Sequence, residues 1–139
     1  STFAKQSWWR DKRMMSGGQY YREMDEATAA RFGVPEEGKR IAVWFEQEPV
    51  GALTLLPDKA QDAGWIGFYY LEPSMRGRNY GIPPLGQAVQ FYRARGIDRL
   101  RLSCADEQTR GFFAHYGFYP LEGDVMEKYI GYEPREIVW

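Results

Sequence analysis

The chemistry of this chain is concentrated in Leu71-Glu72-Pro73-Ser74-Met75-Arg76-Gly77-Arg78-Asn79-Tyr80-Gly81. Before it runs an apolar stretch, Gly64–Leu71. After it, Ile82, Leu85, Val89 and Tyr92 recur at the 3-4-3 spacing of a helix. Pro73 cannot donate to a sheet ladder, so pairing should stop or bulge there and leave main-chain N–H groups unpaired. Two glycines and an asparagine then tolerate positive φ in a tight turn. Such a turn at a helix N-terminus gathers N–H groups and the positive end of the helix dipole at one point. With Arg76 and Arg78 beside it, a phosphate or pyrophosphate is the natural occupant. The bland alternative is an ordinary strand-to-helix turn with two solvated arginines. Neither a G-x-x-x-x-G-K-[ST] phosphate loop nor a G-x-G-x-x-G dinucleotide fingerprint occurs.

Positioning such a turn needs a sheet, and the periodicities supply one. Phe3, Trp8, Trp9, Met14 and Met15 lie in a helical stretch, Thr2–Met15, that breaks at Ser16-Gly17-Gly18. Tyr20, Tyr21, Met24 and Ala27 recur at helical spacing up to Phe32, with Gly33 as the C-terminal cap. The period then changes. Ile41–Phe45 and Val50–Leu56 flank Glu46-Gln47-Glu48-Pro49 as a β-hairpin. Gly64–Leu71 is apolar on both faces, the mark of a central strand. Leu100, Leu102 and Cys104 alternate with Arg99, Arg101 and Ser103 as a two-faced strand. A helix over Glu107–Tyr116 and a strand near Val125–Ile130 complete an order of ααββ, β-loop-α, β-α-β. The expected class is an α+β (α/β) fold with a central β-loop-α-β crossover.

The 139 residues suit one domain, 1–139. At 44% hydrophobic and 17% aromatic content the chain can support a packed core. A net charge of −1, both signs scattered, argues against a nucleic-acid or anionic-membrane partner. No apolar run approaches the ~20 residues that span a bilayer. The single Cys104 has no disulfide partner and points to a reducing, cytoplasmic location. Ser1 in place of a methionine suggests processing or excision from a longer polypeptide. Cys104 and His115 lack an orienting third group for a nucleophile pair, and the ligand count is too low for a metal.

Leu71-x-Pro73-x-x-Arg76-Gly77-Arg78-Asn79-Tyr80-Gly81 resembles the acyl-CoA loop of the GNAT superfamily of N-acyltransferases, Arg/Gln-x-x-Gly-x-Gly/Ala, commonly preceded by Val-x-Pro. Arg76 and Gly81 fill its first and last positions, and Asn79 replaces the middle glycine. A second landmark, Tyr-x-x-x-Gly-Phe, is similar to Phe113-Ala114-His115-Tyr116-Gly117-Phe118, and Asp106 stands where an Asn commonly precedes that helix. The resemblance covers roughly residues 40–130. It implies a mixed, mostly antiparallel sheet with a splayed strand pair. The sequence pattern shows no counterpart of the family's first strand ahead of the first helical stretch. Pro83 and Pro84 also depart from the pattern by removing N–H donors after Gly81.

The resemblance further implies direct attack of an amine on acetyl-CoA or another acyl-CoA, with no covalent enzyme intermediate and no metal. The Leu71 N–H would meet the thioester oxygen. Arg76, Gly77, Arg78, Asn79, Tyr80 and Gly81 would hold the pyrophosphate, and Asp106 and Phe113 would flank the cofactor arm. Phe113 stands where the family usually places a tyrosine that protonates the leaving thiolate. Tyr116, one turn on, offers a hydroxyl or is simply buried. Glu72, Tyr69, Tyr70 and Glu46 are the candidate bases. Trp8, Trp9, Tyr20 and Tyr21 would wall the site of a small-molecule or peptide amine, and a homodimer is left open. The competing expectations are a CoA-binding module of the same fold without catalysis, for which Asn79, Phe113 and the missing strand speak, and an interaction domain of a larger protein.

Overall fold

A computed structural model describes residues 19–76 and 82–132. Their strands form a seven-stranded sheet in the order β1-β2-β3-β4-β5-β7-β6. The strands are β1 (Gln19–Glu23), β2 (Lys39–Phe45), β3 (Glu48–Leu55), β4 (Gly64–Leu71), β5 (Arg99–Ser103), β6 (Tyr119–Pro120) and β7 (Val125–Tyr129). The helices among the described residues are α1 (Glu26–Phe32), α2 (Ile82–Arg93) and α3 (Glu107–His115). All neighbours pair antiparallel except β4 and β5, which run parallel on either side of the α2 crossover.

The chain departs from expectation first at Tyr20 and Tyr21. These are not helical but lie in β1, the edge strand that the sequence pattern lacked, paired to β2 from Gln19↔Phe45 to Glu23↔Ile41. Strand alternation sends their side chains to opposite faces. Tyr21 joins the core with Ile41 and Val43, while Tyr20 stacks on Trp44 with ring centroids 6.2 Å apart. The helix begins only at Asp25, whose carboxylate accepts the Thr28 N–H at 2.8 Å as an N-cap. Gly33 closes it at φ 67°, as its spacing predicts.

The hairpin forms as expected, with a turn at Glu46-Gln47. Glu46 sits at φ 59°, and its carbonyl accepts the Tyr20 hydroxyl at 2.5 Å. A side chain in that left-handed region costs about 1–2 kcal/mol. Glu46→Gly is therefore expected to stabilise the protein by about 0.5–1 kcal/mol, part of the relief being offset by greater unfolded-state entropy. Thermal melting checks this; an unchanged or lower Tm contradicts it.

In β4, Leu55 faces Ile66 while Thr54 faces Phe68, so Gly67 is the extra residue of a β-bulge. The bulge resets the alternation. Ile66, Tyr69 and Leu71 face α2 and α3, whereas Phe68 joins Ala29 and Phe32 on the α1 side. It also lies where β4 leaves β5, since that pair is joined only at Gly64↔Leu100 and Trp65↔Arg101. The two strands thus part well before Pro73. On its other edge, β4 stays laddered to β3 through Leu71. The core fills the face beneath α2 and α3, with Leu85, Ala88, Tyr92 and Phe113 against Leu53, Leu55, Leu100 and Met126.

Candidate functional site

The site is built where β4 ends. The Glu72 N–H donates to the Val50 carbonyl at 2.7 Å. In an antiparallel ladder successive peptides face opposite edges. Leu71 therefore turns its own N–H and C=O away from β3, into the gap left by β5. Its carbonyl there accepts Arg76 Nε at 2.7 Å. Between them Pro73–Met75 makes one 3-10 turn, closed by the Arg76 N–H to the Pro73 carbonyl at 3.1 Å and pinned by buried Met75. Arg76 lies exposed, its guanidinium 5.5 Å from the Tyr70 ring centre.

Beside this turn lies a cavity of about 370 Å³, walled by Tyr69, Tyr70, Leu71 and Arg76 on one side and by Gln108, Thr109, Phe112 and Phe113 of α3 on the other. A second, of about 210 Å³, occupies the splay itself, between Ile66–Tyr69 of β4 and Leu102–Asp106 at and just past the end of β5. Tyr69, Thr109 and Phe113 line both. The walls are mostly apolar, with backbone amides and few charges. Such a channel suits a long, thin ligand whose anionic end reaches Arg76 and whose polar middle meets free strand edges.

Several expected residues converge here and others do not. Leu71, Tyr69, Arg76 and Phe113 line the larger cavity, and Asp106 lines the smaller. The Asp106 carboxylate caps α3, accepting the Thr109 N–H at 2.9 Å and its hydroxyl at 2.8 Å. The backbone hydrogen bond foremost, then the hydroxyl, holds it below the usual aspartate range. Tyr70 also lines the larger cavity, with its ring 5.3 Å from Phe32. Glu72 lines neither cavity; it pairs with Arg31 at 3.1 Å. Tyr116 lines neither as well: its ring rests on Phe112 at 5.0 Å, and its carbonyl accepts Lys128 Nζ at 2.8 Å. Tyr20 and Tyr21 are buried on opposite faces of β1. Trp8, Trp9, Gly77, Arg78, Asn79, Tyr80 and Gly81 lie outside the described residues.

Sequence reasoning passed over Gln108 and Thr109. With Asp106 as N-cap they open α3, and Gln108–Phe112 and Thr109–Phe113 are i, i+4 pairs on one face. That signal was present. Cys104 is buried, its Sγ 3.9 Å from the Asp106 carbonyl, and burial pushes the thiol pKa up despite nearby Arg110. A thiol so held is a poor nucleophile. Among the described residues no group of His, Cys, Asp or Glu is arranged to hold a metal, and no helix is long and apolar enough to cross a membrane.

The model of the acetyltransferase (GNAT) family matches residues 3–118. The chain belongs to the GNAT acetyltransferase family. Solved structures agree in fold. A GNAT family acetyltransferase from Elizabethkingia anophelis, with acetyl-CoA bound, is 10% identical over 82% of this chain and 99% of its own, at a TM-score of 0.63. One from Staphylococcus aureus is 11% identical over 81% and 99%, at 0.62. N-acetylglutamate synthase from Neisseria gonorrhoeae, complexed with coenzyme A and N-acetyl-glutamate, is 14% identical over 85% of this chain, at 0.64; this chain spans 36% of that protein. No curated protein matches the sequence. Within the GNAT fold the splayed β4–β5 pair, the Gly67 bulge and the α2 crossover of this chain place its cavities at the centre of the sheet.

Proposed function

We propose that this chain moves an acyl group, acetyl foremost, from acyl-CoA to an amine by direct attack. The observation that carries the proposal is the Leu71 peptide, turned into the gap between β4 and β5 beside Arg76. A main-chain N–H so placed meets the thioester oxygen as charge builds on it in the tetrahedral transition state. It is worth more there than in water because the surroundings are apolar and the donor is already oriented. The exposed Arg76 guanidinium suits the diphosphate, and the apolar cavity between β4 and α3 suits the pantetheine arm. Asp106 shapes the mouth of that channel by capping α3 rather than by touching the ligand.

The acceptor is a small-molecule or peptide amine. Among the residues lining these two cavities the one carboxylate is Asp106, already engaged by Thr109. The amine thus arrives as free base or gives its proton to water. Glu72, tied to Arg31, is the weaker candidate base. Phe113 supports a second reading, a CoA-binding module without turnover.

Melting with and without acetyl-CoA tests both. Ligand at about 100 times its Kd is expected to add ~2.7 kcal/mol. No shift at millimolar acetyl-CoA removes both readings. Release of free thiol in the presence of an amine panel then separates transferase from binding module.

A further inference from the structure

An amine that attacks directly needs an approach that the pantetheine arm does not fill. With the arm between β4 and α3, the remaining side at the end of β4 is the one beside α1. Tyr70 joins the two sides: it lines the larger cavity, and its ring lies 5.3 Å from that of Phe32 on α1. Phe32 in turn packs on the Ala29, Val34 and Ala52 cluster, which holds the ring pair in place. A guanidinium stands by each ring, Arg76 at 5.5 Å from the centre of Tyr70 and Arg31 at 5.1 Å from the centre of Phe32. Arg76 answers the diphosphate. Arg31 is half exposed, and among the described residues Glu72 takes one of its five N–H donors, at 3.1 Å. Glu72 follows Leu71 in the chain, so this ion pair stands next to the peptide that meets the thioester. An exposed pair of this kind adds little to stability, and both of its partners keep capacity for a ligand.

We propose that the acceptor is an amine that also carries a carboxylate, an amino acid with an apolar or aromatic side chain, and that Arg31 selects it by binding that carboxylate. The proposal rests on the transferase reading above. An α-amino acid holds its nitrogen roughly 3 Å from its carboxylate oxygens, close to the 3.1 Å that separates Arg31 from Glu72. Laid antiparallel on this ion pair, it meets Arg31 with its carboxylate and Glu72 with its ammonium, and its side chain rests on Phe32 and Tyr70. The ammonium is the form drawn in, and it passes a proton to water before the nitrogen attacks. A purely cationic acceptor would meet Glu72 but face both guanidiniums. Two cations against one carboxylate around the ring pair therefore favour an acceptor with an anionic group.

The test compares two acceptors that differ only in the carboxylate, phenylalanine and 2-phenylethylamine, with hydroxylamine as a small reference nucleophile and thiol release from acetyl-CoA as the readout. The wild-type chain is expected to show a kcat/KM about tenfold or more higher for phenylalanine. Arg31→Gln is expected to lower the phenylalanine value by about tenfold more than the 2-phenylethylamine value, through KM; this is the low end for a charge-assisted bond because Arg31 is half exposed. Arg31→Lys, which keeps the charge without the planar fork, is expected to regain part of that loss. Equal falls for the two acceptors, a fall in kcat in place of KM, an Arg31→Lys chain no better than Arg31→Gln, or a wild-type preference for 2-phenylethylamine each overturns the proposal and leaves the transferase reading standing. Transfer to hydroxylamine with neither amine accepted does the same. A wild-type chain that binds acetyl-CoA and acetylates none of the three removes both.

Discussion

Tyr92→Ala is expected to cost about 3–5 kcal/mol, the range for emptying a large aromatic site in a core. That is a large share of the ~5–15 kcal/mol that holds a typical domain together. Tyr92 is 0% exposed and heads the largest fully buried side chains. Its ring lies on Gly64, where an added Cβ would overlap it, and its hydroxyl donates to the Trp65 carbonyl at 2.7 Å. Gly64 and Trp65 are the two β4 residues paired with β5. Tyr92 therefore pegs α2 to the point from which the strands diverge. Three variants separate its parts. Tyr92→Phe, losing one hydrogen bond, should cost about 1 kcal/mol. Gly64→Ala should cost about 1–3 kcal/mol by overpacking. Combining Gly64→Ala with Tyr92→Leu should cost less than the sum, because the smaller side chain makes room. Urea unfolding reads all of these; strict additivity in the double variant would refute the close packing of this pair.

How much of this was legible beforehand depends on how local the deciding forces were. Gly64–Leu71, with apolar residues on both faces, read as a central strand because both of its faces are covered. Leu100 and Leu102 alternating with arginines read as a two-faced strand, and they form one. Gly33 marks a helix end through short-range hydrogen bonds, and it caps α1 as its spacing predicts. Tyr20 and Tyr21 did not yield to the same method. Their spacing with Met24 and Ala27 fits a helical stripe equally well, and the choice is made by distant residues, Trp44 and Val43, against which the two tyrosines pack as a strand. β6, two residues long, carries too little pattern to be seen at all.

The site shows the same division. Pro73 suggests that the strand parts from its neighbour near its end, and the Leu71 peptide there is turned away from β3. The parting itself begins at Gly67, a glycine inside a strand pattern, which is a recognised signal for a bulge. Residue types near the turn led to the expectation of an anion site, but which side chains face the cavity depends on the parity that the bulge resets. Without that extra residue, Ile66 and Tyr69 could not share a face. Glu72, adjacent in sequence to Leu71, is sent by the same alternation toward Arg31 and away from the cavities. Proximity along the chain was the wrong guide there, and parity the right one.

The second large effect is expected at Glu127, far from the cavities. On β7 it lies directly opposite Arg101 of β5 and Tyr119 of β6. Arg101 Nε donates to it at 2.8 Å and the Tyr119 hydroxyl at 2.6 Å, and it is 6% exposed. Burial by itself would raise this carboxyl. The hydrogen bonds from Tyr119 and Arg101, with the charges of Arg101 and Arg99, outweigh it and hold the group below its usual value of 4.5. A folded-state pKa below the unfolded one means that the native state binds fewer protons. The stability so gained is complete above about pH 5 and is lost as the pH falls through 4.5 toward the folded value. Glu127→Ala strips this and leaves Arg101 and Tyr119 facing an empty site. We expect about 3 kcal/mol of destabilisation at pH 7, the low end for a broken buried pair because Arg101 keeps some contact with water. Glu127→Gln retains an acceptor and should lose roughly half as much, while flattening the acid limb below pH 4.5. Urea midpoints from pH 3 to 7 decide between these outcomes. If the wild-type and Glu127→Gln curves run parallel across that interval, the carboxylate is not ionised and bonded as the β5–β7–β6 geometry requires.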